Sequence, residues 1–315
     1  MSRNGKLTVV GAGAVGSSVA YAAMIRGSAR HIALYDIAAE KTEAEVLDLS
    51  HGTQFAAGTD IIGGSDISVT EDSDIVVITA GAKQRPGQTR LDLAATNAGI
   101  LGSLMPQLLE ASPDAVYVIV TNPCDPMTTV AQQLSGLPPE RIFASGTVLD
   151  TSRLRWLLAQ HAGVSTTSVH AHIVGEHGDS EFALWSTATI GTVPILEWTQ
   201  DGKPLFTADD LEKVADEVRG AAYKVIQGKG ATNYAIGLSS ARIVEAVLRD
   251  QHTILNVAPV LSDFHGIDGV ALSVPSIVGA HGAVPIRETP FSDEELTRLK
   301  ASADALAAVV ADLDG

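Results

Sequence analysis

A glycine turn near the start of the chain joins an apolar segment to a helix rich in small residues. The turn is Gly11-Ala12-Gly13-Ala14-Val15-Gly16, which follows residues 7–10 and precedes residues 17–25. Gly11 permits a tight turn, Gly13 lets the backbone approach a pyrophosphate, and Gly16 lets the helix pack closely on the strand. The start of such a helix also offers free N–H groups and a partial positive charge to phosphates. The segment therefore predicts a strand, a turn and a helix that bind a dinucleotide.

A carboxylate follows the second apolar segment, residues 31–35. It belongs to Asp36, about twenty residues beyond Gly16, which is the usual distance to a ribose-binding acid. A carboxylate at this position hydrogen-bonds the 2′-hydroxyl of NAD and repels the 2′-phosphate of NADP. A glycine turn alone can serve packing only, but the strand, the helix and Asp36 together favour a nucleotide site. We therefore expect NAD as the cofactor.

The composition excludes several classes of partner. The chain has 315 residues, of which 45% are hydrophobic, and a formal net charge of −16. This content is ample for large cores, and the acidic charge without any basic run argues against nucleic acid or an anionic membrane as a partner. The sequence shows neither a signal-peptide pattern nor an apolar run of ~18 residues that could span a membrane. With a single cysteine, Cys124, no intrachain disulfide can form, so we expect a cytoplasmic protein.

Strand-like and helical segments alternate over the first 145 residues. The β-like runs lie at 61–62, 67–69, 74–79, 115–120 and 141–145. This alternation predicts an α/β fold with a Rossmann-type doubly wound parallel sheet in an NAD-binding domain, residues 1–145. From residue 146 the regular alternation of strands and helices gives way to long helices and scattered β segments. We therefore expect an α+β substrate domain over residues 146–315.

Ligands of a doubly wound sheet bind beyond the carboxyl ends of its strands. Asp36, Thr79, Gly81 and Asn122 fall at such ends. A polar stretch with a proline and a glycine, residues 83–90, follows the strand that ends at Thr79, and we expect it to be a mobile lid.

One histidine lies among glycines and acids in Gly175-Glu176-His177-Gly178-Asp179. A neutral imidazole can accept a proton on one nitrogen while a carboxylate orients the other, which suits proton transfer near neutral pH. By itself, however, this motif favours a solvated turn histidine. We expect no metal, since no second histidine or cysteine lies at ligand spacing.

The start of a predicted helix, residues 149–161, places Asp150 and Arg153 on one face. The simplest interpretation is a surface ion pair. The alternative is that Asp150 orients His177 and Arg153 acts as a planar clamp for a substrate carboxylate.

Five motifs occur together in the order and spacing of the lactate/malate dehydrogenase family, which the whole chain resembles. They are Gly11–Gly16 with Asp36, the segment 84–90, Thr121-Asn122-Pro123, Leu149-Asp150-Thr151-Ser152-Arg153 and Gly175–Asp179. The resemblance implies a Rossmann-type NAD-binding part and reversible hydride transfer between NADH and a 2-oxo acid. The NAD contacts it implies are Gly11, Gly13, Val15, Gly16, Asp36, Thr79, Gly81 and Asn122.

The resemblance also implies a role for each reacting side chain. His177 would donate a proton to the ketone oxygen and accept it in reverse, and Asp150 would raise its pKa by favouring the imidazolium. Arg153 would hold the substrate carboxylate, while Arg90, on the lid, would polarise the ketone. Asn122 would contact both the substrate and the histidine.

The choice between lactate and malate depends on the lid. Malate-specific relatives carry an arginine where this chain has Gln84, and burying a second carboxylate without a cation costs several kcal/mol. Thr232 in the substrate pocket also matches the lactate-specific relatives. We therefore expect pyruvate and L-lactate as substrates. A lid shifted by one residue would present Lys83 or Arg85 instead and would favour malate.

A second anion site is implied by two further residues. In bacterial relatives activated by fructose 1,6-bisphosphate, an arginine and a histidine at the positions of Arg155 and His170 bind the effector phosphates at a subunit interface. The ordinary interpretation of Arg155 is a solvated surface cation. We expect instead an allosteric enzyme that assembles as a homotetramer and binds fructose 1,6-bisphosphate.

Two other classes of NAD-binding protein share part of this pattern. An NAD-dependent glycosidase would need a metal held by cysteine and histidine, for which Cys124 is the one candidate thiol. A catalytically silent NAD-binding protein would not need His177, Asp150, Arg153 and Arg90 together.

Overall fold

The computed structural model describes residues 5–82 and 90–314, without the side chains of Arg90, Leu91 and Asp314. The expected lid, residues 83–89 with Gln84, and the Arg90 side chain therefore lie outside the described part.

Within the described residues, the N-terminal half alternates six strands with four α-helices. The strands are β1 (Lys6–Val10), β2 (His31–Tyr35), β3 (Asp60–Gly64), β4 (Ile75–Ile78), β5 (Val116–Ile119) and β6 (Ile142–Ala144). The helices are α1 (Ala14–Arg26), α2 (Ala39–Gly52), α3 (Arg90–Ala111) and α4 (Cys124–Ser135).

The C-terminal half mixes long helices with short strands. Its helices are α5 (Val148–Ala162), α6 (Ala208–Lys229), α7 (Tyr234–Leu248) and α8 (Asp293–Asp314). Its short strands are β7 (Val169–His170), β8 (Ile173–Val174), β9 (Phe182–Ala183), β10 (Thr189–Ile190), β11 (Val193–Pro194), β12 (Thr199–Gln200) and β13 (Lys203–Pro204). Three longer strands follow: β14 (Thr253–Pro259), β15 (Val274–Gly279) and β16 (Gly282–Pro285).

The main sheet confirms the predicted doubly wound topology. Strands β3, β2, β1, β4, β5 and β6 lie side by side in that order, and all five pairings are parallel. Every residue of β4 and β5 is buried, as expected for central strands covered by helices on both faces. The chain order reverses between β1 and β4, which opens a crevice at their carboxyl ends.

The sheet also takes strands from the C-terminal half. β14 pairs antiparallel with β6, and β15 and β16 extend the sheet further. This pairing covers the edge that β6 would otherwise expose. The sequence did not predict a sheet shared by both halves of the chain.

One short element differs from the prediction. The β-like piece at 67–69 is a 3-10 helix, Ile67–Thr70, and not a strand. The Asp66 side chain accepts a hydrogen bond from the Ser68 backbone N–H (2.9 Å), which favours a turn over an extended conformation. In the described part of the chain, no helix is both long and apolar enough to cross a membrane.

Helix α1, which follows the glycine turn, packs directly on α7. A Cβ atom added to Gly237 in α7 would lie 2.7 Å from the Ser18 carbonyl oxygen. Asn233, just before α7, donates from its side chain to the Ser18 hydroxyl (2.9 Å). At the other end, the Arg26 guanidinium bonds the buried Glu245 carboxylate through two nitrogens at 2.9 and 2.7 Å. The nucleotide-binding turn is thus fixed to the segment that contains Thr232.

Two helical glycines provide a matched test of this contact. Gly237→Ala should lower the free energy of unfolding by about 1–3 kcal/mol, because its methyl group has no room against Ser18. Gly220→Ala in α6 meets nothing within 4 Å and should stabilise the protein by about 0.5–1 kcal/mol. Urea unfolding of both variants measures the difference. Equal stabilisation by both substitutions would contradict close packing of α1 on α7.

Candidate active site

The glycine turn leaves no room for larger side chains at two of its positions. Gly11 has φ of +105°, and an added Cβ would lie 2.8 Å from the Ala80 nitrogen. A Cβ on Gly16 would lie 1.8 Å from the Gly11 carbonyl oxygen. The Thr79 hydroxyl donates to that same oxygen (3.1 Å) and connects the turn to the end of β4. By contrast, nothing lies within 4 Å of a Cβ placed on Gly13, so the backbone there is open to a ligand.

A cavity of about 450 Å³ opens above this turn. Five of the predicted cofactor residues line it: Gly11, Gly13, Asp36, Thr79 and Gly81. The Asp36 carboxylate is held at its rim by the backbone N–H groups of Ala12 (2.7 Å) and Ala38 (3.0 Å). Gly16 lies behind the turn, and Val15 packs half-buried against the core. The glycine cradle and the fixed carboxylate fit the diphosphate and ribose of a dinucleotide.

A buried asparagine joins the ends of β4 and β5. The Asn97 side chain, on α3, donates to the Asn122 carbonyl (2.7 Å) and accepts from the Ala82 backbone N–H (2.7 Å). Asn97 is 1% exposed, whereas Asn122 is exposed. Asn97 was not predicted from the sequence, because one asparagine in a long helix carries no signal of its own. Asn97 thus holds the segment that follows β4 against the segment that follows β5, at the carboxyl ends of these central strands.

Asp150, in the first turn of α5, contacts the predicted histidine and arginine together. Its Oδ2 lies 2.6 Å from Nδ1 of His177, and its Oδ1 lies 2.5 Å from Nη1 of Arg153. The Asp150 side chain is 1% exposed, while His177 and Arg153 keep 28% and 18% of their side chains exposed. The structure therefore brings these three residues together, with the carboxylate buried and both cationic side chains partly open.

The charges of this group shift its protonation equilibria. The Asp150 carboxylate raises the pKa of His177 to about 9, against the opposing effect of burial. Burial alone would raise the pKa of Asp150, but His177 and Arg153 hold it below its ordinary value. At neutral pH the group therefore contains an imidazolium and a carboxylate, and the imidazolium can donate a proton.

Asp125 is a buried acid that was not predicted from the sequence. Its Oδ2 accepts a hydrogen bond from the His177 backbone N–H (2.6 Å), and the residue is 1% exposed. Burial raises the pKa of Asp125 to about 7, although the His177 N–H favours the charged form. An acid three residues after Asn122, at the start of α4, was the available signal. Asp125 fixes the backbone of His177, as Asp150 fixes its ring.

Glu181 is a second missed acid in the same group. It is 3% exposed, and its carboxyl group, the Asp150 carboxylate and the His177 ring each place an atom within 4.8 Å of the others. Burial raises the pKa of Glu181 to about 9, so that it is protonated at neutral pH. Its position four residues after His177, in an acid-rich loop, was its only signal.

Three further predicted residues lie on α5, on β7 and between α6 and α7. The Nε of Arg155 donates to the Ala171 carbonyl (2.9 Å). His170, one residue earlier, is exposed on β7. Thr232 is half-buried between α6 and α7.

Comparison with known proteins agrees with the fold and the site. A family model described as the lactate/malate dehydrogenase NAD binding domain matches residues 5–144, and the family's alpha/beta C-terminal domain matches residues 147–313. Together with the glycine cavity, these matches define an NAD-dependent oxidoreductase that uses NAD(H) as its cofactor. The chain belongs to the lactate/malate dehydrogenase family.

Several relatives match over nearly the full length. An L-lactate dehydrogenase of Bifidobacterium animalis subsp. lactis is 53% identical, over 96% of this chain and 94% of that protein. One from Kosmotoga olearia is 47% identical, over 97% and 95%. The crystal structure of the minor L-lactate dehydrogenase from Enterococcus mundtii has a TM-score of 0.93 at 38% identity, covering 97% of each chain. That of a lactate dehydrogenase from a Medee basin deep-sea metagenome library has the same TM-score at 35% identity, over 99% of this chain and 100% of the other.

The contact between Asp150 and His177 can be tested without measuring activity. In the Asp150→Asn variant the pKa of His177 should fall well below about 9, because the main stabilising charge is lost while burial remains. The imidazolium would then disappear at lower pH, as an NMR titration of the His177 ring can show. Asp179 is an exposed acid two residues from His177, and the control variant Asp179→Asn should leave the pKa of His177 unchanged. An unchanged pKa in Asp150→Asn would show that another group holds the proton.

Proposed function

We propose that the protein is an L-lactate dehydrogenase that interconverts pyruvate and L-lactate. The observation that carries this proposal is the buried Asp150 carboxylate, which binds a proton donor and a carboxylate-binding guanidinium at once. The full-length relatives described above are named L-lactate dehydrogenases, which supports the same conclusion.

In pyruvate reduction, the protonated His177 gives its proton to the ketone oxygen. Asp150 keeps the imidazolium charged before transfer, and the neutral imidazole takes the proton back in lactate oxidation. Reduction should therefore decline as the pH rises through the pKa of His177, and oxidation should increase. Bound NADH supplies the hydride.

Arg153 holds the substrate carboxylate in this proposal. Its guanidinium has five N–H donors, and Asp150 takes one of them at Nη1. The remaining donors can bind a carboxylate in the planar, two-bond manner of arginine. Thr232 lines the pocket, Asn122 contacts the substrate and the histidine, and Arg90 polarises the ketone.

Two structural observations bear on the glycosidase alternative. Cys124 is 2% exposed, and burial together with the adjacent Asp125 raises the pKa of its thiol. A buried thiol of this kind resists the deprotonation that a metal ligand requires. Its environment favours a packing role for Cys124.

Gln84 is the proposed determinant of the substrate. The wild-type enzyme should reduce pyruvate with a kcat/KM roughly a hundredfold above that for oxaloacetate, because a neutral lid leaves the second carboxylate unpaired. Gln84→Arg should reverse much of this preference. Initial rates of NADH oxidation with each acid give the ratio, and Gln88→Arg in the same segment is the matched control. An enzyme that prefers oxaloacetate, and loses that preference on Arg85→Gln or Lys83→Gln, would be a malate dehydrogenase with a different lid register.

We also propose that fructose 1,6-bisphosphate activates a homotetramer through Arg155 and His170. Arg155 is half-buried, and burial lowers its pKa. It forms no ion pair with an acid in the described part of the chain. Its bond to the Ala171 carbonyl places it beside the strand that contains His170. A phosphate would supply the missing counter-charge.

The effector proposal predicts a change in substrate affinity. Fructose 1,6-bisphosphate should lower the half-saturating pyruvate concentration of the wild-type enzyme by about 5-fold or more. His170→Gln should remove this response, and His281→Gln, an exposed histidine next to β16, should retain it. Pyruvate titrations near pH 6 and pH 7 test both variants. If the wild-type curve does not move at either pH, Arg155 and His170 are not an effector site.

A further inference from the structure

Glu181 is a buried acid that the proposed reaction does not use. It is 3% exposed and comes directly before β9, whose pairing with β8 places it on the returning arm of the loop that contains His177. Its carbonyl oxygen accepts a hydrogen bond from the Arg219 guanidinium of α6 (3.2 Å). The strand pair and the helix therefore hold Glu181 in place from both sides of the loop.

The surroundings of Glu181 determine its protonation state. An oxygen of its carboxyl group lies within 4.8 Å of an Asp150 carboxylate oxygen, and two buried carboxyl groups this close share one proton. Asp150 already accepts from the cationic Arg153 and His177, which stabilise its anionic form. The shared proton therefore resides on Glu181. The other two acids near His177 have different partners. Asp125 accepts a hydrogen bond from the His177 backbone N–H, and Glu176 accepts one from the Ser180 hydroxyl.

Asp150, His177 and Glu181 also have the composition of a small metal site. Both oxygens of Asp150 are engaged by donors, at 2.5 Å by Arg153 and at 2.6 Å by His177. A cation placed among the three residues would face a guanidinium and displace the proton-transfer pair. The arrangement therefore favours a neutral acid over a bound cation.

We propose that Glu181 is a positioning residue for proton transfer, which donates a hydrogen bond to Asp150 as a neutral carboxylic acid. Once Glu181 is ionised in alkaline solution, its negative charge keeps His177 protonated up to a higher pH. Only the role of Glu181 in proton transfer rests on the proposed function; its neutral form and its effect on the pKa of His177 do not. The neutral form adds a third hydrogen bond to Asp150 without adding charge. The ionised form adds a negative charge near the imidazolium and favours it.

Infrared spectroscopy tests the neutral acid directly. At pH 8 the purified protein should show a carboxylic C=O band that Glu181→Gln removes and that fades as the pH rises through about 9. Most Asp125 is ionised at pH 8, because its pKa is about 7. Glu176→Gln, an acid of the same loop bonded to Ser180, is the control and should keep the band. A spectrum in which Glu181→Gln removes only carboxylate absorption would overturn the proposal.

Two substitutions separate positioning from mere packing. Glu181→Gln retains an N–H donor for Asp150, so its kcat for pyruvate reduction should exceed that of Glu181→Leu by about tenfold at pH 7. Glutamine cannot ionise and add a negative charge near His177. The NMR titration of Glu181→Gln should therefore give a lower pKa for His177 than that of the wild type. Equal kcat values for both variants, or an unmoved His177 titration, would contradict the proposed role.

The two proposals fail in distinguishable ways. A wild-type protein that shows the carboxylic band but does not reduce pyruvate would contradict the proposed function and leave Glu181 as a neutral acid. A protein that reduces pyruvate without the band would contradict only the role of Glu181.

Discussion

The buried carboxylate of Asp150 is the interaction on which the site depends. A charge that is 1% exposed is stable only because His177 and Arg153 bind its two oxygens, and each of those side chains is in turn oriented by it. Helix α5 provides Asp150 and Arg153 from one face, and the loop between β8 and β9 provides His177. One carboxylate therefore fixes both His177 and Arg153, and it determines how far apart these two side chains lie.

The sequence was most informative where local chemistry dictates geometry. Glycines at positions 11, 13 and 16 can be assigned from backbone requirements alone, and the structure shows the tight contacts at Gly11 and Gly16. The spacing of Asp150 and Arg153 follows from helical periodicity. Parallel strand order follows from the alternation of apolar strands with helices, since each crossover returns to the same sheet.

The residues that sequence reasoning missed depend on long-range packing. Asp125 reaches the His177 backbone from 52 positions away, and Asn97 bridges two strand ends from the middle of a helix. Neither has a spacing rule, because their partners are set by the tertiary fold. The pairing of β14 with β6 was unpredictable for the same reason: an antiparallel addition at the sheet edge leaves no periodic mark. Gln84 and the Arg90 side chain lie outside the described residues, so their assignments still rest on the sequence.

The pairing of β14 with β6 also has a consequence for how the chain folds during synthesis. The six parallel strands are complete once residue 144 has emerged, but β14 begins at residue 253. For the interval of more than a hundred residues between them, β6 is an open edge with unpaired N–H and C=O groups, next to the fully buried β5. Such edges associate readily with other strands. The chain is therefore most prone to aggregate while only its N-terminal half has been made, and this exposure ends when β14 joins the sheet.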